Sequence, residues 1–546
     1  MQVFSRVALF LVGSAGLCLA AVAQAQEPAP AANNLIASAE PDANGFLVLP
    51  LPKPGAGETL GQFESRKTQV KTRVLNAIRA DLPLGENALM VEKYFNNFEF
   101  RTLTQTTPEA LDALPKARFD FFKYYIFVCK NQETHQEMVR LTFNMMQQIV
   151  NNNFHPVVRY NAMIMIGDLN EQEVLRFGSD LKLPEPYAAT LPFMVDRLDD
   201  ARTPDPVKIA ALVGILRHLE WEPYRGAPLP AGTRTTMLNA LVKLAEMKDP
   251  PAGRTAEGQQ WLRRRAIEAL GLASVTTATP AAVTAIEKVL KDSSEPLALR
   301  CSAAMAMGRA NVPANHKVDA NELSRLLANL AATSVKTEFE RLIAMNQKEK
   351  EHAAVYATIG SGTGGGNFGG PGGGEGFARP AMMPPMGGID GMIGPGGMNQ
   401  FAEDPKAYRL DAVRKRLRYQ LHCVQTGLGH PLDKTGTPPN PNIRKGAQRL
   451  ATNAAERKAA EDLLAAVNKL ADIVEKNRTD LAQLETTMLT ESKMLEAAIA
   501  RTVPAPAPAE AAPAAPGQPA APGAPAAKPA AASDDDLLGG AAPAKK

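Results

Sequence analysis

The sequence contains few of the residues that usually reveal a metal site or a disulfide framework. Its 546 residues include four Cys and seven His, and there is no CxxC motif. Cys18 lies in the apolar N-terminal run, and the other three, Cys129, Cys301 and Cys423, are far apart. An odd number of widely spaced cysteines does not predict a disulfide framework, even in an oxidising compartment.

Excess charge and long apolar runs are also scarce. Sixty Lys and Arg against 57 Asp and Glu leave a formal net charge of +3. That balance offers no broad basic face, so we expect no nucleic-acid partner. After the N-terminal apolar run, no second run is long enough to span a bilayer, and we expect no integral membrane segment in the mature chain.

The N-terminus has the pattern of a signal peptide. Arg6 precedes an apolar stretch, residues 7–22, and Ala23-Gln24-Ala25 forms a small-residue cleavage site. Cleavage after Ala25 predicts an exported protein, located in the periplasm or cell envelope or secreted. A membrane anchor is the alternative interpretation, whereas Leu17 argues against a lipoprotein site at Cys18.

The composition divides the rest of the chain into five segments. A Pro/Gly-rich leader is predicted at 26–60 and a helical region at 61–358. Residues 359–402 are rich in Gly, Met and Pro and predict a disordered linker. A second helical module follows at 403–501, and an Ala/Pro-rich, disordered tail at 502–546. Neither helical region shows a strand pattern, so the expected fold class is all-α.

The first helical region contains an internal repeat. Four ten-residue segments align without gaps: VRYNAMIMIG from Val158, VKIAALVGIL from Val207, LRRRAIEALG from Leu262 and LRCSAAMAMG from Leu299. The second position is basic in each, the middle positions are small, and three segments end in Gly. The intervals between their starts are 49, 55 and 37 residues, which bracket the roughly 40–47 residues of paired-helix repeats.

These segments resemble the second helix of HEAT repeats, and the resemblance covers roughly residues 105–355. It implies an α-solenoid, in which stacked helix pairs form a long groove for protein partners. The Asp that often precedes the helix-starting Pro is present only as Asp205. The 55-residue interval implies an inserted loop, for which residues 222–234 are the best candidate.

The resemblance also suggests a role for the recurring basic residue. We expect Arg159, Lys208, Arg263 and Arg300 to reach carboxylates or carbonyls of the adjacent repeat and to form a ladder. The alternative is that each is a solvated surface charge.

The C-terminal module has a heptad pattern of apolar residues between Leu463 and Leu495. One long helix, or a coiled coil that forms a homo-oligomer through residues 463–498, is one interpretation, with Asn477 at a core position. The alternative is a hairpin that turns near residues 476–480, with Thr479 as the N-cap.

Several short motifs are too incomplete to assign chemistry. His422, Cys423 and His430 lack a fourth zinc ligand and the usual spacing, and no His-Glu dipeptide is present for an iron site. Ser179-x-x-Lys182 and Lys434-Thr435-Gly436 match parts of a serine β-lactamase pattern without its third element. The basic runs at 263–265 and 414–418 are interpreted as solvated helix faces. No catalytic, cofactor-binding or metal-binding residue is therefore predicted.

Two features of the low-complexity segments remain open. Five Met residues in the linker could act as soft ligands for Cu(I), although no His or Cys assists them; they are Met382, Met383, Met386, Met392 and Met398. In the tail, Leu537 and Leu538 follow three Asp residues, 534–536, and could form a docking peptide.

The sequence thus predicts an exported HEAT-repeat scaffold that binds protein partners and is not an enzyme. Two alternatives remain, a metal-binding or metal-dependent HEAT-like enzyme and a structural protein of the cell envelope.

Overall fold

The structure is a computed structural model that describes residues 35–177, 180–225, 228–313, 315–361, 405–429 and 446–502. The chain divides at Thr502 into two units, and every described residue lies in the first. The predicted signal peptide, most of the predicted linker and all but the first residue of the predicted tail lie outside the described residues.

The described residues are mostly helical, as expected for an all-α protein. The α-helices are α1 (Leu60–Ile78), α2 (Ala88–Tyr94), α3 (Phe100–Thr102), α4 (Pro108–Phe121), α5 (Gln132–Asn151), α6 (Pro156–Asp168), α7 (Thr190–Asp199), α8 (Asp205–Trp221), α9 (Ala231–Glu246), α10 (Ala256–Thr276), α11 (Pro280–Lys291), α12 (Leu297–Arg309), α13 (Ala320–Ser361), α14 (Pro405–Leu428), α15 (Gly446–Leu450), α16 (Ala454–Lys476) and α17 (Leu481–Arg501). Two π-helical turns, Phe95–Glu99 and Phe122–Ile126, extend α2 and α4.

Short antiparallel strand pairs accompany the helices, and two of them lie in a helical region where the sequence shows no strand pattern. β1 (Glu40–Pro41) pairs with β2 (Leu47–Val48) in the leader. Between α6 and α7, β3 (Asn170–Gln172) pairs with β6 (Glu185–Pro186), and β4 (Leu175–Phe177) pairs with β5 (Asp180–Lys182). Strands of two or three residues are too short to give a period-2 pattern, so the sequence did not reveal them.

The helices from α5 onward are arranged in pairs. In each of α5–α6, α7–α8, α9–α10, α11–α12 and α13–α14, the two helices pack against each other. We call α6, α8, α10, α12 and α14 the second helices; each packs on the next in this order, and α4 packs on α6. The four repeated sequence segments lie on the first four second helices.

Small residues allow the second helices to approach closely. A Cβ atom added to Gly167 of α6 would lie 3.0 Å from the Cα atom of Gly214 in α8. One added to Gly308 of α12 would lie 2.2 Å from the carbonyl oxygen of Thr426 in α14. Residues 301–308 of α12 are all buried, because α10, α11, α13 and α14 surround this helix. Its Ala-rich sequence therefore serves close packing on several sides.

The C-terminal helices continue this packing. α14 packs on both α12 and α13, and α16 and α17 pack on α13. One hydrophobic cluster joins side chains from Leu49 to Ile499. The predicted linker at 359–402 thus lies in the sequence between the two helices of one pair, and the described residues of 61–358 and 403–501 belong to one packed unit.

The end of this unit is a helical hairpin and not one long helix. α16 ends with Asn477 as its C-cap, and α17 begins after Asp480, whose carboxylate accepts hydrogen bonds from the Ala482 and Gln483 amides. The N-cap is therefore Asp480 and not Thr479, and Asn477 is not a core residue. The heptad residues are buried within the chain itself; they include Leu463, Val467, Leu470, Val474, Leu484, Met488 and Leu495.

The described part of the leader is also packed. Leu49 is fully buried, and its amide donates to the Thr104 hydroxyl at 3.1 Å. The Arg101 guanidinium donates to the Pro50 carbonyl at 2.6 Å. Residues 47–50 are thereby fixed to the helices.

Candidate protein-binding face

The recurring arginines bind carbonyl groups, and they do so within a helix pair. The Nε atoms of Arg159, Arg263 and Arg300 donate to carbonyls near the C-terminus of the preceding helix: Val150 of α5 at 3.0 Å, Ala245 of α9 at 2.9 Å and Leu290 of α11 at 3.3 Å. Each bond satisfies a helix-end carbonyl that has no partner within its own helix. The expected ladder between adjacent repeats is therefore wrong for Arg159 and Arg300, whose bonds stay within their own helix pair.

Arg263 alone of these three arginines also binds the next pair. Its two terminal nitrogens donate to the Glu295 carboxylate at 2.7 Å each, and Glu295 lies in the turn between α11 and α12. Arg263 and Glu295 are 3% and 7% exposed. The bidentate geometry and the burial make this a strong charge-assisted contact.

One side of α6 and α8 is left uncovered by the other described helices. On α6 the less buried positions include 157, 160, 164 and 168, and on α8 they include 206, 209, 213, 217 and 220. Such spacing of three and four residues places each set on one helix face. We call the apolar residues of these two rows, together with Phe119 of α4, the open face: Phe119, Val157, Tyr160, Ile164, Ile209 and Val213.

The open face exposes large apolar side chains to solvent. Phe119 is 59% exposed, and Val157 and Val213 are each 42% exposed. A single exposed apolar residue is ordinary, but three large ones on three helices that pack side by side are a candidate interaction surface.

Two arginines connect the three helices of the open face. Arg118 of α4 donates to the Asn161 side-chain oxygen of α6 at 2.7 Å. Arg217 of α8 donates to the Gly167 carbonyl at the end of α6 at 2.9 Å and to the Asn170 side-chain oxygen. The Asn170 amide in turn donates to Glu173 at 2.7 Å. These bonds hold the helices in a fixed relation, which preorganises the surface between them.

The Asp168 carboxylate interacts electrostatically with both arginines. Burial raises the pKa of Asp168, and the charges of Arg217 and Arg118 oppose that rise. One carboxylate and two guanidinium groups at the end of an apolar surface can orient the polar groups of a bound polypeptide.

From α10 onward the same side of the second helices is covered. The Arg264 guanidinium lies over the Tyr419 ring at 5.2 Å, and the Ser302 hydroxyl bonds both Tyr419 at 3.0 Å and Glu268 at 3.1 Å. Arg265 bonds Glu268 at 2.7 Å. This network joins α10, α12 and α14 and marks the limit of the open face.

Both basic runs predicted as solvated faces are largely engaged in contacts. Arg263 is buried against Glu295, and Arg264 and Arg265 both bind Glu268. In the second run, Arg414 donates to the Val474 carbonyl at 2.9 Å, Arg416 pairs with Glu338, and Arg418 pairs with Glu475 at 2.6 Å. The pairs of Arg264 and Arg265 with Glu268 lie within α10, whereas the three arginines of the second run bind other helices.

The remaining sequence candidates form no site among the described residues. His422 and Cys423 lie on α14, and burial raises the pKa of the Cys423 thiol. Lys182 lies in β5, whereas Ser179, His430, residues 434–436, the linker Met residues and residues 534–538 lie outside the described residues. The described residues contain no group of three or more His, Cys, Asp or Glu that could hold a metal ion.

The sequence did contain an overlooked signal for the polar part of this face. Asp168 and Arg217 are the residues directly after two of the aligned segments, so they occupy the same register on neighbouring helices. Opposite charges in one register of adjacent repeats predict a contact between helices. Arg118 has no equivalent in the four segments and could not be found in this way.

Comparisons with protein-family models, with curated proteins and with solved structures found no match to this chain. Among the described helices, none is long and apolar enough to cross a membrane.

Proposed function

We propose that the helix pairs are HEAT-like repeats and that the protein is an exported scaffold that binds a protein partner on the open face. The paired helices, the second helices packed in chain order and the small residues between them support the repeat assignment. The signal-peptide pattern, with cleavage after Ala25, supports export to the periplasm or cell envelope.

The single observation that carries the binding role is the exposure of Phe119, Val157 and Val213 on three adjacent helices. In this proposal, the partner's apolar side chains cover these residues, and its backbone or polar groups bind near Asp168 and Arg217. The existing network of Arg118 and Arg217 fixes the helices before binding, which reduces the ordering cost of association.

Site-specific photo-crosslinking in the producing cells tests this proposal. A photoreactive residue is placed at Val157, Val213 or Phe119, one position at a time, in the full-length protein. The matched control is Met494 of α17, which is 57% exposed and lies on a different helix.

We expect one and the same protein to be crosslinked from Val157 and Val213, and not from Met494. Replacing Phe119 with Asp should then remove that adduct, because a carboxylate cannot be buried against an apolar partner without a large desolvation cost. The proposal is wrong if the three positions give the same adducts as Met494. It is also wrong if they give no adduct although mass spectrometry shows that the photoreactive residue is intact.

A further inference from the structure

A cleft of about 600 Å³ lies beside the turns that connect α7 to α8 and α9 to α10. Aliphatic side chains line part of it, among them Leu198, Ala240, Leu244 and Leu262. This volume lies within the roughly 300–1,000 Å³ that is typical of small-molecule sites. None of the six residues of the open face lines this cleft, so a ligand bound here is a proposal distinct from the proposed function.

The charged residues of the cleft leave one cation without an ion-pair partner among the described residues. Lys243 pairs with Asp199 at 2.6 Å, and Arg254 pairs with Asp205 through bonds of 2.6 and 2.8 Å. Arg202 pairs with Asp200 at 3.2 Å. Lys208 is half-buried and has no carboxylate of a described residue within 4 Å. Burial lowers the pKa of Lys208 and the nearby charge of Arg254 lowers it further, whereas the more distant charges of Asp205, Asp200 and Asp199 oppose this change.

Lys208 is also the position at which the repeat departs from its own pattern. Its equivalents Arg159, Arg263 and Arg300 each bind a carbonyl near the end of the preceding helix. Lys208 donates no such bond to the described residues. A lysine has three donors on a flexible stem and is most stable when a partner accepts from it. The cleft therefore contains an ammonium group that no described residue binds.

We propose that this cleft is a binding site for an amphipathic monocarboxylate. The aliphatic chain of the ligand packs on Leu198, Leu244 and Leu262, and its carboxylate accepts hydrogen bonds from the Lys208 ammonium. One unpaired cation matches one negative charge.

Titration calorimetry of the full-length mature protein with octanoate at pH 7 tests the site. Octanol and octylammonium are the matched probes, because they share the alkyl chain and differ in the charge of the head group. We expect octanoate to bind at least about tenfold more tightly than either, as a charge-assisted hydrogen bond requires.

Variants then assign the binding to Lys208. Lys208→Met should weaken octanoate binding at least about tenfold and leave octanol binding unchanged. The control is Lys288→Met, which removes an exposed lysine of α11 that pairs with Glu246 outside the cleft; it should bind octanoate as the parent does. Equal octanoate affinity in Lys208→Met and in the parent overturns the proposal, and so does the absence of binding at millimolar octanoate.

A measurement on the parent protein tests the site without depending on whether the Lys208→Met variant folds. After reductive ¹³C-dimethylation of the lysines, the resonance assigned to Lys208 should shift on addition of octanoate and not of octanol. The Lys288 resonance should not move in either case. A Lys208 resonance that is unchanged at saturating octanoate places the carboxylate elsewhere and also overturns the proposal.

Discussion

Gly271 of α10 lies so close to Ala306 of α12 that a Cβ atom on Gly271 would be 2.6 Å from the Cα atom of Ala306. The same Cβ would lie 2.7 Å from the Ala306 methyl carbon. Neither neighbouring atom belongs to a flexible side chain, so one helix would have to move. The Gly that ends the aligned segment is therefore required by packing, not by a turn.

Replacing Gly271 with Ala should destabilise the protein by about 1–3 kcal/mol, which is the usual cost of overpacking. Helix propensity alone predicts the opposite sign, since Ala is favoured over Gly in a helix by about 0.5–1 kcal/mol. The control is Gly232→Ala in the first turn of α9, where an added Cβ meets nothing within 4 Å. Urea denaturation of both variants measures the difference; equal stabilities would contradict the close contact.

The buried pair of Arg263 and Glu295 gives a second prediction. Arg263→Met removes both bonds to the buried Glu295 carboxylate, which then keeps only the Lys248 ammonium at 3.2 Å, and it removes the donor to the Ala245 carbonyl. We expect a loss of about 1.5–3 kcal/mol in the free energy of unfolding, the range for hydrogen bonds to charged groups. Lys288→Met, which breaks the exposed pair with Glu246, should cost about 0–1 kcal/mol. A loss of under 1 kcal/mol for Arg263→Met, as for an exposed pair, would show that the pair is hydrated in solution.

His218 predicts a pH dependence of stability. Its ring is fully buried, with Nδ1 accepting from Arg225 at 2.9 Å and Nε2 bonded to the Thr190 hydroxyl at 2.8 Å. Burial, followed by the charges of Arg225 and Arg217, holds the pKa of His218 well below its usual 6.5. The folded protein therefore keeps this ring neutral where the unfolded chain protonates it.

Because the unfolded state binds the extra proton, stability should fall as the pH drops below 6.5. The slope for one group is at most about 1.4 kcal/mol per pH unit, so between pH 7 and 5 the loss approaches about 2 kcal/mol. His218→Gln should be less stable than the parent at pH 8. Its stability should not show the additional decrease of about 2 kcal/mol between pH 7 and 5 that comes from protonation of His218 in the unfolded state. Parallel stability profiles for the parent and His218→Gln would mean that the ring is accessible to protons in the folded state.

The packing of α14 on α12 and α13 gives a prediction for a cut chain. A specific protease site is inserted after residue 380, and the purified protein is cleaved there. We expect the two fragments to elute together in size-exclusion chromatography, since apolar side chains of both belong to one hydrophobic cluster. Denaturant should separate them, which verifies the cleavage. Separate elution without denaturant would show that residues 61–358 and 403–501 form two independent modules.

Local signals in the sequence predicted the local structure well. Pro156, Pro206 and Pro296 stand just upstream of three aligned segments, where a helix can begin on a Pro. Pro156 is the first residue of α6 and Pro206 the second of α8, whereas Pro296 is the N-cap of α12. The helical periodicity also identified the regions that are helical. Helix caps and periodicity depend on neighbours in the chain, so one sequence is sufficient to find them.

Contacts between distant segments were harder to predict. The heptad pattern from Leu463 to Leu495 shows that one helix face is buried, but it does not show whether the covering helix belongs to the same chain. α13, α14 and the hairpin itself cover it here. The open face was not predicted for a related reason. An apolar residue in a helical pattern, such as Val157 or Val213, is expected in the core, and only the positions of the neighbouring helices show that it is exposed.

The bond between Ser302 and Tyr419 joins two helices that are synthesised at different times. These residues are 117 positions apart, and α14 covers helices that leave the ribosome long before it. At about 5–20 residues per second, the interval between them is about 6–23 s. During that time the Ala-rich surface of α12 has no partner on one side, so the nascent chain depends on protection from aggregation until residue 428 has been made.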